Sequence, residues 1–188
     1  MRKSTSKLSK SDWLDEALQV LAKSGFEAVA VESLARRLEV TKGSFYWHFK
    51  SRSELIKLLL AFWEGIEEQY IDEYKQSYGG ARVFLKEILK VLISDQTNKR
   101  VFLQLSHHLS DEAIKSAYDR AVKRRLNLFS EAYVKMGMEK MQAKEKALMT
   151  YCGYFGLIKL TDDGLEDVLT QEVEARLIGR EIEFALTI

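Results

Sequence analysis

Apolar residues recur at helical spacing along most of this chain. In the first such stretch Leu14, Ala17, Leu18 and Leu21 follow the spacing i, i+3, i+4, i+7, which places them on one face of a helix. The chain contains no proline, and no stretch alternates apolar and polar residues between turn signals as an exposed strand does. The pattern therefore predicts an all-α protein.

Polar residues at the ends of these stretches predict where two of the helices begin. Ser9 followed by Asp12, and Ser51 followed by Glu54, are both spaced as capping boxes, in which each side chain accepts a hydrogen bond from the other's backbone. Gly25 is suited to end the helix that Ser9 begins. The sequence thus predicts a first helix between Ser9 and Gly25, and a long helix that begins after Ser51.

Between these two helices lie two short ones. The pattern predicts a second helix over 31–38, with Ala30 where a capping hydroxyl is usual, and a third that begins at Thr41. Beyond the long fourth helix, which runs to about residue 78, the predicted helices cover 81–95, 99–109, 111–137, 140–160 and 165–187. We expect the fourth helix to join an N-terminal three-helix unit to a larger C-terminal helical bundle.

Charge is distributed unevenly along the chain. The net charge of the 188 residues is +1, but residues 1–52 contain ten Lys/Arg against six Asp/Glu. A basic N-terminal quarter indicates that this part meets a polyanion. Cys152 is the only cysteine, which excludes a disulfide framework and a thiolate metal site. We expect Cys152 to be buried, and the chain to be cytoplasmic and without a membrane span.

The stretch TKGSFYWHFK, residues 41–50, combines aromatic and basic side chains. Phe45 and Phe49 are four residues apart and are expected in the core, which leaves Tyr46, Trp47 and His48 at the surface. Two short helices joined by a tight turn after a longer helix form a helix-turn-helix, whose second helix lies in the DNA major groove. An aromatic, basic surface at that helix is consistent with DNA binding.

Residues 34–56, LARRLEVTKGSFYWHFKSRSELI, closely resemble the TetR/AcrR transcriptional regulators. The resemblance implies a dimeric, ligand-responsive DNA-binding protein, usually a repressor, with a DNA-binding domain over 7–67 and its helix-turn-helix motif near 30–49. It also implies an effector-binding and dimerisation domain over 68–188. The residues that it implies for DNA contact are Thr41, Lys42, Gly43, Ser44, Tyr46, Trp47, His48, Lys50 and Arg52.

Two positions depart from the family pattern. Glu39 occupies a turn position where the family usually has glycine and where the backbone tends to be left-handed. A side chain in that conformation costs on the order of 1 kcal/mol. Ala30 stands where a capping threonine is common. We expect the recognition helix itself to be unaffected by either substitution.

The segment 147–160 is apolar nearly all round, so we expect it to be buried on both sides. It is similar to the dimer interface of the family, where the last two helices of each subunit form a four-helix bundle; the alternative is an internal core helix. The residues predicted at this interface are Tyr151, Gly153, Phe155, Gly156, Leu169, Val173 and Ile182.

Aromatic residues of the C-terminal part are suited to line a pocket for an apolar or aromatic effector, although they suit a plain core equally well. The residues predicted to line it are Trp63, Tyr70, Phe102, His107, Tyr118, Tyr133 and Tyr154. His107 and His108 are adjacent, and adjacent side chains on a helix diverge by about 100°. We therefore expect no metal site, and we expect no cofactor.

Two alternatives belong to other classes of function. One is a DNA-binding protein without an effector, which acts through a protein partner on its C-terminal bundle. The other is an enzyme, but the sequence carries no nucleophile elbow, phosphate loop, metal constellation or suitably spaced pair of carboxylates. The leading prediction is a homodimeric repressor that a small molecule releases from a pseudo-palindromic operator.

Overall fold

The computed structural model describes residues 8–77, 79–164 and 171–187. Those residues form nine α-helices and no strand, which confirms the predicted all-α fold. A single 3₁₀ turn, Phe26–Ala28, follows the first helix. The helices are α1 Lys10–Ser24, α2 Val31–Arg37, α3 Lys42–Tyr46, α4 Arg52–Ser77, α5 Ala81–Ser94, α6 Gln96–His107, α7 Glu112–Lys135, α8 Lys140–Asp162 and α9 Gln171–Leu186.

Helices α1, α2 and α3 pack around a small aromatic core. Trp13 of α1 meets Phe45 of α3 edge-on, with ring centroids 5.4 Å apart, and Phe45 stacks on Phe49 at 5.0 Å. All three side chains are buried, so the predicted core positions of Phe45 and Phe49 are confirmed. Because both phenylalanines point inward, the side chains between them are left at the surface.

The predicted capping box of α1 forms in both directions. The Ser9 hydroxyl accepts from the backbone N–H of Asp12 at 3.2 Å, and the Asp12 carboxylate accepts from that of Ser9 at 2.6 Å. Hydrogen bonds from Ser9 hold the pKa of Asp12 below its ordinary value. At the other end Gly25 has a φ of +77°, a left-handed conformation that a residue with a side chain seldom adopts.

The turn between α2 and α3 has the left-handed residue that the sequence predicts. Glu39 has a φ of +56°, and among the described non-glycine residues it alone has a positive φ. Its N–H donates to the Arg36 carbonyl at 3.2 Å, and the N–H of Val40 donates to that of Ala35 at 2.9 Å. These two bonds form a Schellman motif, which ends α2 and sets the direction of α3.

The start of α4 is tied to the three-helix unit by its own side chains. Glu54 donates its N–H to the Ser51 hydroxyl at 3.2 Å, but its carboxylate accepts from the N–H of Lys50 at 2.6 Å. Only half of the predicted capping box therefore forms, and the other half reaches one residue further back. Helix α4 then continues from this unit into the C-terminal bundle.

The C-terminal bundle consists of α5 to α9 and the second half of α4. Helices α7 and α8 pack along each other, α9 packs on α5 and α8, and α6 packs on α1 of the three-helix unit. Helix α6 begins earlier than predicted, because the Asp95 side chain caps it by accepting from the N–H of Asn98 at 3.0 Å. The predicted start of the last helix at 165, the interface residue Leu169 and the predicted end of the fourth helix at 78 lie outside the described residues.

Helix α8 has two unlike faces, so within one chain it is not buried on both sides as predicted. Tyr154 and Ile158 are buried against the bundle, whereas Leu148 and Met149 on the opposite face are more than half exposed. The predicted burial of Cys152 is wrong, because this cysteine lies on the exposed side. Within the part of the chain that the structure describes, no helix is long and apolar enough to cross a membrane.

Candidate nucleic-acid interface and C-terminal core

The outer surface of α3 begins with an ion pair that bridges two helices. Lys42 Nζ lies 2.5 Å from Glu32 Oε1 on α2, and both side chains are more than half exposed. This hydrogen bond from Lys42 lowers the pKa of Glu32. An exposed pair of this kind contributes little to stability, so a phosphate group can replace the carboxylate at little cost.

Gly43 is exposed on the same surface and has open space around it. A Cβ at this position would meet only Thr41 Oγ1, at 3.6 Å, which is an ordinary contact. The Thr41 hydroxyl makes no capping hydrogen bond; the turn is closed by the N–H of Ser44, which donates to the Thr41 carbonyl at 3.0 Å. The fold of this chain therefore does not require a glycine here.

Two large aromatic side chains project from the end of α3. Tyr46 is 62% exposed and Trp47 is 81% exposed, whereas the neighbouring His48 is half-buried and tilted against Phe49. Lys50 is exposed beyond them. Large aromatic side chains seldom remain this exposed unless they contact a partner, since exposure forgoes the gain from burial.

Arg52 occupies a different environment from the other predicted contact residues. Its Nε donates to the Val29 carbonyl at 2.7 Å, and its Nη2 donates to the Phe26 carbonyl. These bonds fasten the first residue of α4 to the segment that connects α1 with α2. The side chain therefore fixes α4 against the three-helix unit, a role that the sequence did not reveal because the two partners lie more than twenty residues away.

Four of the seven side chains predicted to line a pocket meet in the C-terminal bundle. Trp63 stacks at 6.5 Å on Phe102, and Phe102 stacks at 5.1 Å on Tyr118. Tyr154 joins them through the guanidinium of Arg125, to which its hydroxyl is bonded at 3.0 Å. These rings pack closely. Five clefts of the described surface, of about 270 to 540 Å³, are lined by other residues.

The other three predicted pocket residues have different surroundings. Tyr70 is 40% exposed on α4, and the exposed His107 has its Nε2 3.9 Å from an Asp162 carboxylate oxygen. Tyr133 is buried, with its hydroxyl 2.6 Å from Thr150 Oγ1. Among the described residues no group of three or more His, Cys, Asp or Glu side chains could hold a metal ion.

A buried ion pair that was not predicted from the sequence lies at the centre of this cluster. The side chains of Arg125 of α7 and Glu67 of α4 are only 2% and 4% exposed, and they form an ion pair through Arg125 Nη2 and Glu67 Oε1. Two signals in the sequence could have indicated it. Three acidic residues lie close together on α4 and three arginines lie close together on α7, and opposite charges on two helices predict that these parts of the helices meet. The residues are Glu64, Glu67, Glu68, Arg120, Arg124 and Arg125.

This centre perturbs the protonation of its neighbours. Burial by itself would lower the pKa of Arg125, but the charge of Glu67 and the nearby Tyr154 raise it above its ordinary value. Burial raises the pKa of Tyr154, which is bonded to Arg125, to about 12. The guanidinium is thus held charged while the Tyr154 phenol is held neutral. Away from this centre, burial also raises the pKa of Tyr133 to about 12.

The predicted dimer residues divide between the exposed face of α8 and the interior. A cleft of about 390 Å³ between α8 and α9 is lined by Cys152, Gly156 and Leu160, among others. Tyr151, by contrast, is buried and stacks on Phe155 at 5.8 Å, with its ring turned toward the core. Gly153 lies beneath the Glu181 carboxylate, and Val173 and Ile182 of α9 are exposed and half-buried respectively.

Comparison with known proteins agrees with this arrangement. Residues 14–59 match the family described as Bacterial regulatory proteins, tetR family. Over 128 residues, 64% of this chain, the sequence is 30% identical to the HTH-type transcriptional regulator AcrR of Shigella flexneri. The match spans only 57% of that protein's length.

Two solved structures share the fold over nearly the whole chain. A transcriptional regulator from a Rhodococcus species superposes with a TM-score of 0.76 at 17% identity, covering 95% of this chain and 96% of that one. The regulator FadR from Bacillus subtilis, in complex with stearoyl-CoA, has a TM-score of 0.69 at 16% identity, covering 95% and 98%. At these identities the likeness establishes the fold alone.

Proposed function

We propose that this chain is a transcriptional regulator of the TetR/AcrR family, and that it binds a pseudo-palindromic operator as a homodimer and represses transcription. A small molecule that binds within the C-terminal bundle releases it. The observation that carries the proposal is the outer surface of α3. There Tyr46 and Trp47 are exposed, and Gly43 stands where the space around it would accept a side chain. The stability of the domain therefore does not explain these three residues.

The DNA contacts divide by role. Lys42, Gly43 and Ser44 lie at the start of α3, where a recognition helix approaches base edges, and an absent side chain at Gly43 allows close approach of the backbone. Tyr46, Trp47, His48 and Lys50 contact the phosphate backbone, which positions the protein without reading sequence. Arg52 supports this surface from behind by holding α4 to the Val29 carbonyl.

Dimerisation supplies the symmetry that an operator needs. The exposed apolar side chains of α8, Leu148, Met149 and Leu160, support a second copy as the occupant of this face. Two copies related by a two-fold axis would place their recognition helices about 34–36 Å apart, which is one turn of DNA. An effector weakens operator binding if it favours a conformer in which the two recognition helices are a different distance apart. The size of the effect is set by the difference between the effector's affinities for that conformer and for the DNA-binding one.

A second candidate function is favoured by one observation. Four of the seven side chains predicted to line the pocket meet in a close-packed cluster, and clefts of the described surface such as that of about 540 Å³ lie elsewhere. A bundle with a filled core fits a regulator that answers to a protein partner and not to a small molecule. The complex of the structurally similar FadR with stearoyl-CoA supports the small-molecule alternative for this fold.

The proposal is tested by selecting sequences from a random duplex library with the purified full chain. We expect enrichment of an inverted repeat whose half-sites are centred about 10 base pairs, or a multiple of that, apart. Gel-shift titration of the selected site should show one dimer bound per repeat. Enrichment of single, unpaired sites would contradict the dimeric arrangement, and absence of any enriched sequence would contradict operator recognition itself.

A further inference from the structure

We propose that the effector of this regulator carries a carboxylate on an apolar body, and that the carboxylate pairs with Arg125 in place of Glu67. This inference rests on the function proposed above and names the chemical class of the effector. It follows from the way Arg125 is bonded at the centre of the C-terminal bundle.

Arg125 is 2% exposed, and one of its three guanidinium nitrogens, Nε, bonds to no described residue. Its Nη1 donates to the Tyr154 hydroxyl at 3.0 Å, and its Nη2 donates to Glu67 Oε1. Its Nε is buried and has no acceptor among the described side chains and backbone. An unused donor on a buried guanidinium is costly, so the site gains from any ligand that brings an acceptor to it.

Glu67 accepts a hydrogen bond from Nη2 of Arg125 but not from Nε, because its carboxylate is shared with a second arginine. One carboxylate oxygen accepts from Arg125, while the other accepts from Arg124 Nη1 at 3.0 Å. Nε and Nη2 lie on the same edge of a guanidinium, and a carboxylate that approaches side-on accepts from both. An incoming carboxylate can therefore take the whole edge of Arg125, since Glu67 keeps Arg124 as a partner.

The surroundings of Arg125 are suited to the apolar part of such a ligand. The guanidinium lies 3.6 Å from the centroid of the Phe102 ring, which stacks at 5.1 Å on Tyr118 and meets Phe155 edge-on at 5.8 Å. Tyr118 and Phe155 are only half-buried. In the proposed complex the ligand enters between these two rings and Phe102, because the side chains of Phe102, Arg125 and Tyr154 are fully buried.

The same ion pair connects the site to the DNA-binding domain. Glu64, Glu67 and Glu68 of α4 bind Arg120, Arg124 and Arg125 of α7, so α4 is held to the bundle by a row of charges. Removing Glu67 from Arg125 breaks the buried link of this row and leaves α4 tied to α7 through Arg120 and Arg124. Because α4 begins at the three-helix unit, a shift of α4 at this point changes the position of α3 relative to the second copy.

The test uses 4-phenylbutyrate and decanoate as probes, with 4-phenylbutanamide and decanamide as uncharged controls of matched shape. Thermal unfolding of the full chain is followed as each compound is titrated, because a ligand that binds the folded state raises the Tm. We expect both acids to raise the Tm in a saturable manner, and the amides to leave it unchanged at the same concentrations.

Three variants separate recognition from stability. Arg125→Lys keeps a positive charge beside Glu67 but has no two-donor edge, so the acids should bind roughly tenfold to a hundredfold more weakly. Glu67→Gln removes the competing charge and should tighten acid binding, an effect that a merely structural role would not produce. Arg120→Lys changes the exposed end of the same row and should leave acid binding unchanged.

The outcomes keep this inference apart from the proposed function. Operator binding is measured on the same preparation, with and without acid. Failure of both acids to stabilise the wild-type chain, or equal binding by Arg125→Lys, overturns the inference while operator binding without acid still stands. A chain that binds the acids but no operator keeps this site and loses the regulatory function.

Discussion

The indole N–H of Trp63 donates to Asn98 Oδ1 at 2.7 Å, and both side chains are buried. This bond joins α4, which leads to the DNA-binding unit, to α6, which packs on α1 of that unit. The bond therefore joins the two helices that connect the three-helix unit with the C-terminal bundle.

Replacing Asn98 by Leu should destabilise the protein, because it leaves the buried indole N–H of Trp63 without an acceptor. The expected loss in the free energy of unfolding is about 1–3 kcal/mol, measured by urea denaturation. The matched control is the double variant Asn98→Leu/Trp63→Phe, in which no donor is left unpaired, and whose loss should be smaller than the sum of the two single losses. Additive losses would contradict the importance of this bond.

Replacing Glu39 by Gly should stabilise the protein, because Glu39 holds a φ of +56° at the end of α2. The expected gain in the free energy of unfolding is about 1 kcal/mol. Glu39→Ala removes the same charge but keeps the left-handed strain, so it should show no such gain. Both variants lack the carboxylate of Glu39. An increase in DNA affinity that is equal in the two variants is therefore due to the loss of this negative charge, and not to the change in stability.

Replacing Gly43 by Ala should weaken operator binding without harming the fold. A Cβ there has only Thr41 Oγ1 within contact distance, and alanine favours a helix over glycine by about 0.5–1 kcal/mol. We expect operator affinity to fall about tenfold or more, by analogy with the loss of one good base contact, while the Tm stays the same or rises. The control is Gly65→Ala on α4, because Gly65 also has open space around it. If Gly65→Ala and Gly43→Ala changed operator affinity equally, the proposed position of Gly43 against DNA would be wrong.

The contact residues of α3 should fall into two classes when each is changed to alanine. Tyr46→Ala and Lys50→Ala should weaken binding to all duplexes, and Lys50→Ala should also reduce the dependence of affinity on salt. Lys42→Ala and Ser44→Ala should instead change which sequence is preferred. Gel-shift titrations with operator and unrelated duplexes measure both effects, and an unchanged affinity in Tyr46→Ala would show that the recognition surface lies elsewhere.

Stability should fall between pH 10 and 12 as two buried tyrosines ionise. Burial raises the pKa of Tyr133 and of Tyr154 from 10 to about 12, so the folded state favours the protonated form of each. Their contribution is fully present below pH 10 and is lost as the pH rises to 12, by roughly 2–3 kcal/mol for each tyrosine. Urea midpoints measured across this range should fall less steeply in Tyr154→Phe than in the wild-type chain; parallel curves would contradict the assignment.

Local features of the sequence were sufficient for the N-terminal unit. The Ser9 and Asp12 cap and the inward Phe45 and Phe49 depend on residues a few positions apart. Spacing along a helix acts at that range, so the pattern predicts them without knowledge of the rest of the chain. The left-handed Glu39 is expected instead from the resemblance, because the family usually has glycine at this turn.

The C-terminal site required the tertiary structure. Arg125 and Glu67 are 58 residues apart in sequence, and only the packing of α7 on α4 makes them partners and removes them from water. The same holds for Cys152, which lies on the open face of α8 although its sequence neighbours are apolar. By itself, then, the sequence determined that the chain is helical, how α1 is capped and which face of α3 is buried, because these depend on neighbours along the chain. Which charges are buried and which apolar faces stay open was decided only by how distant helices pack.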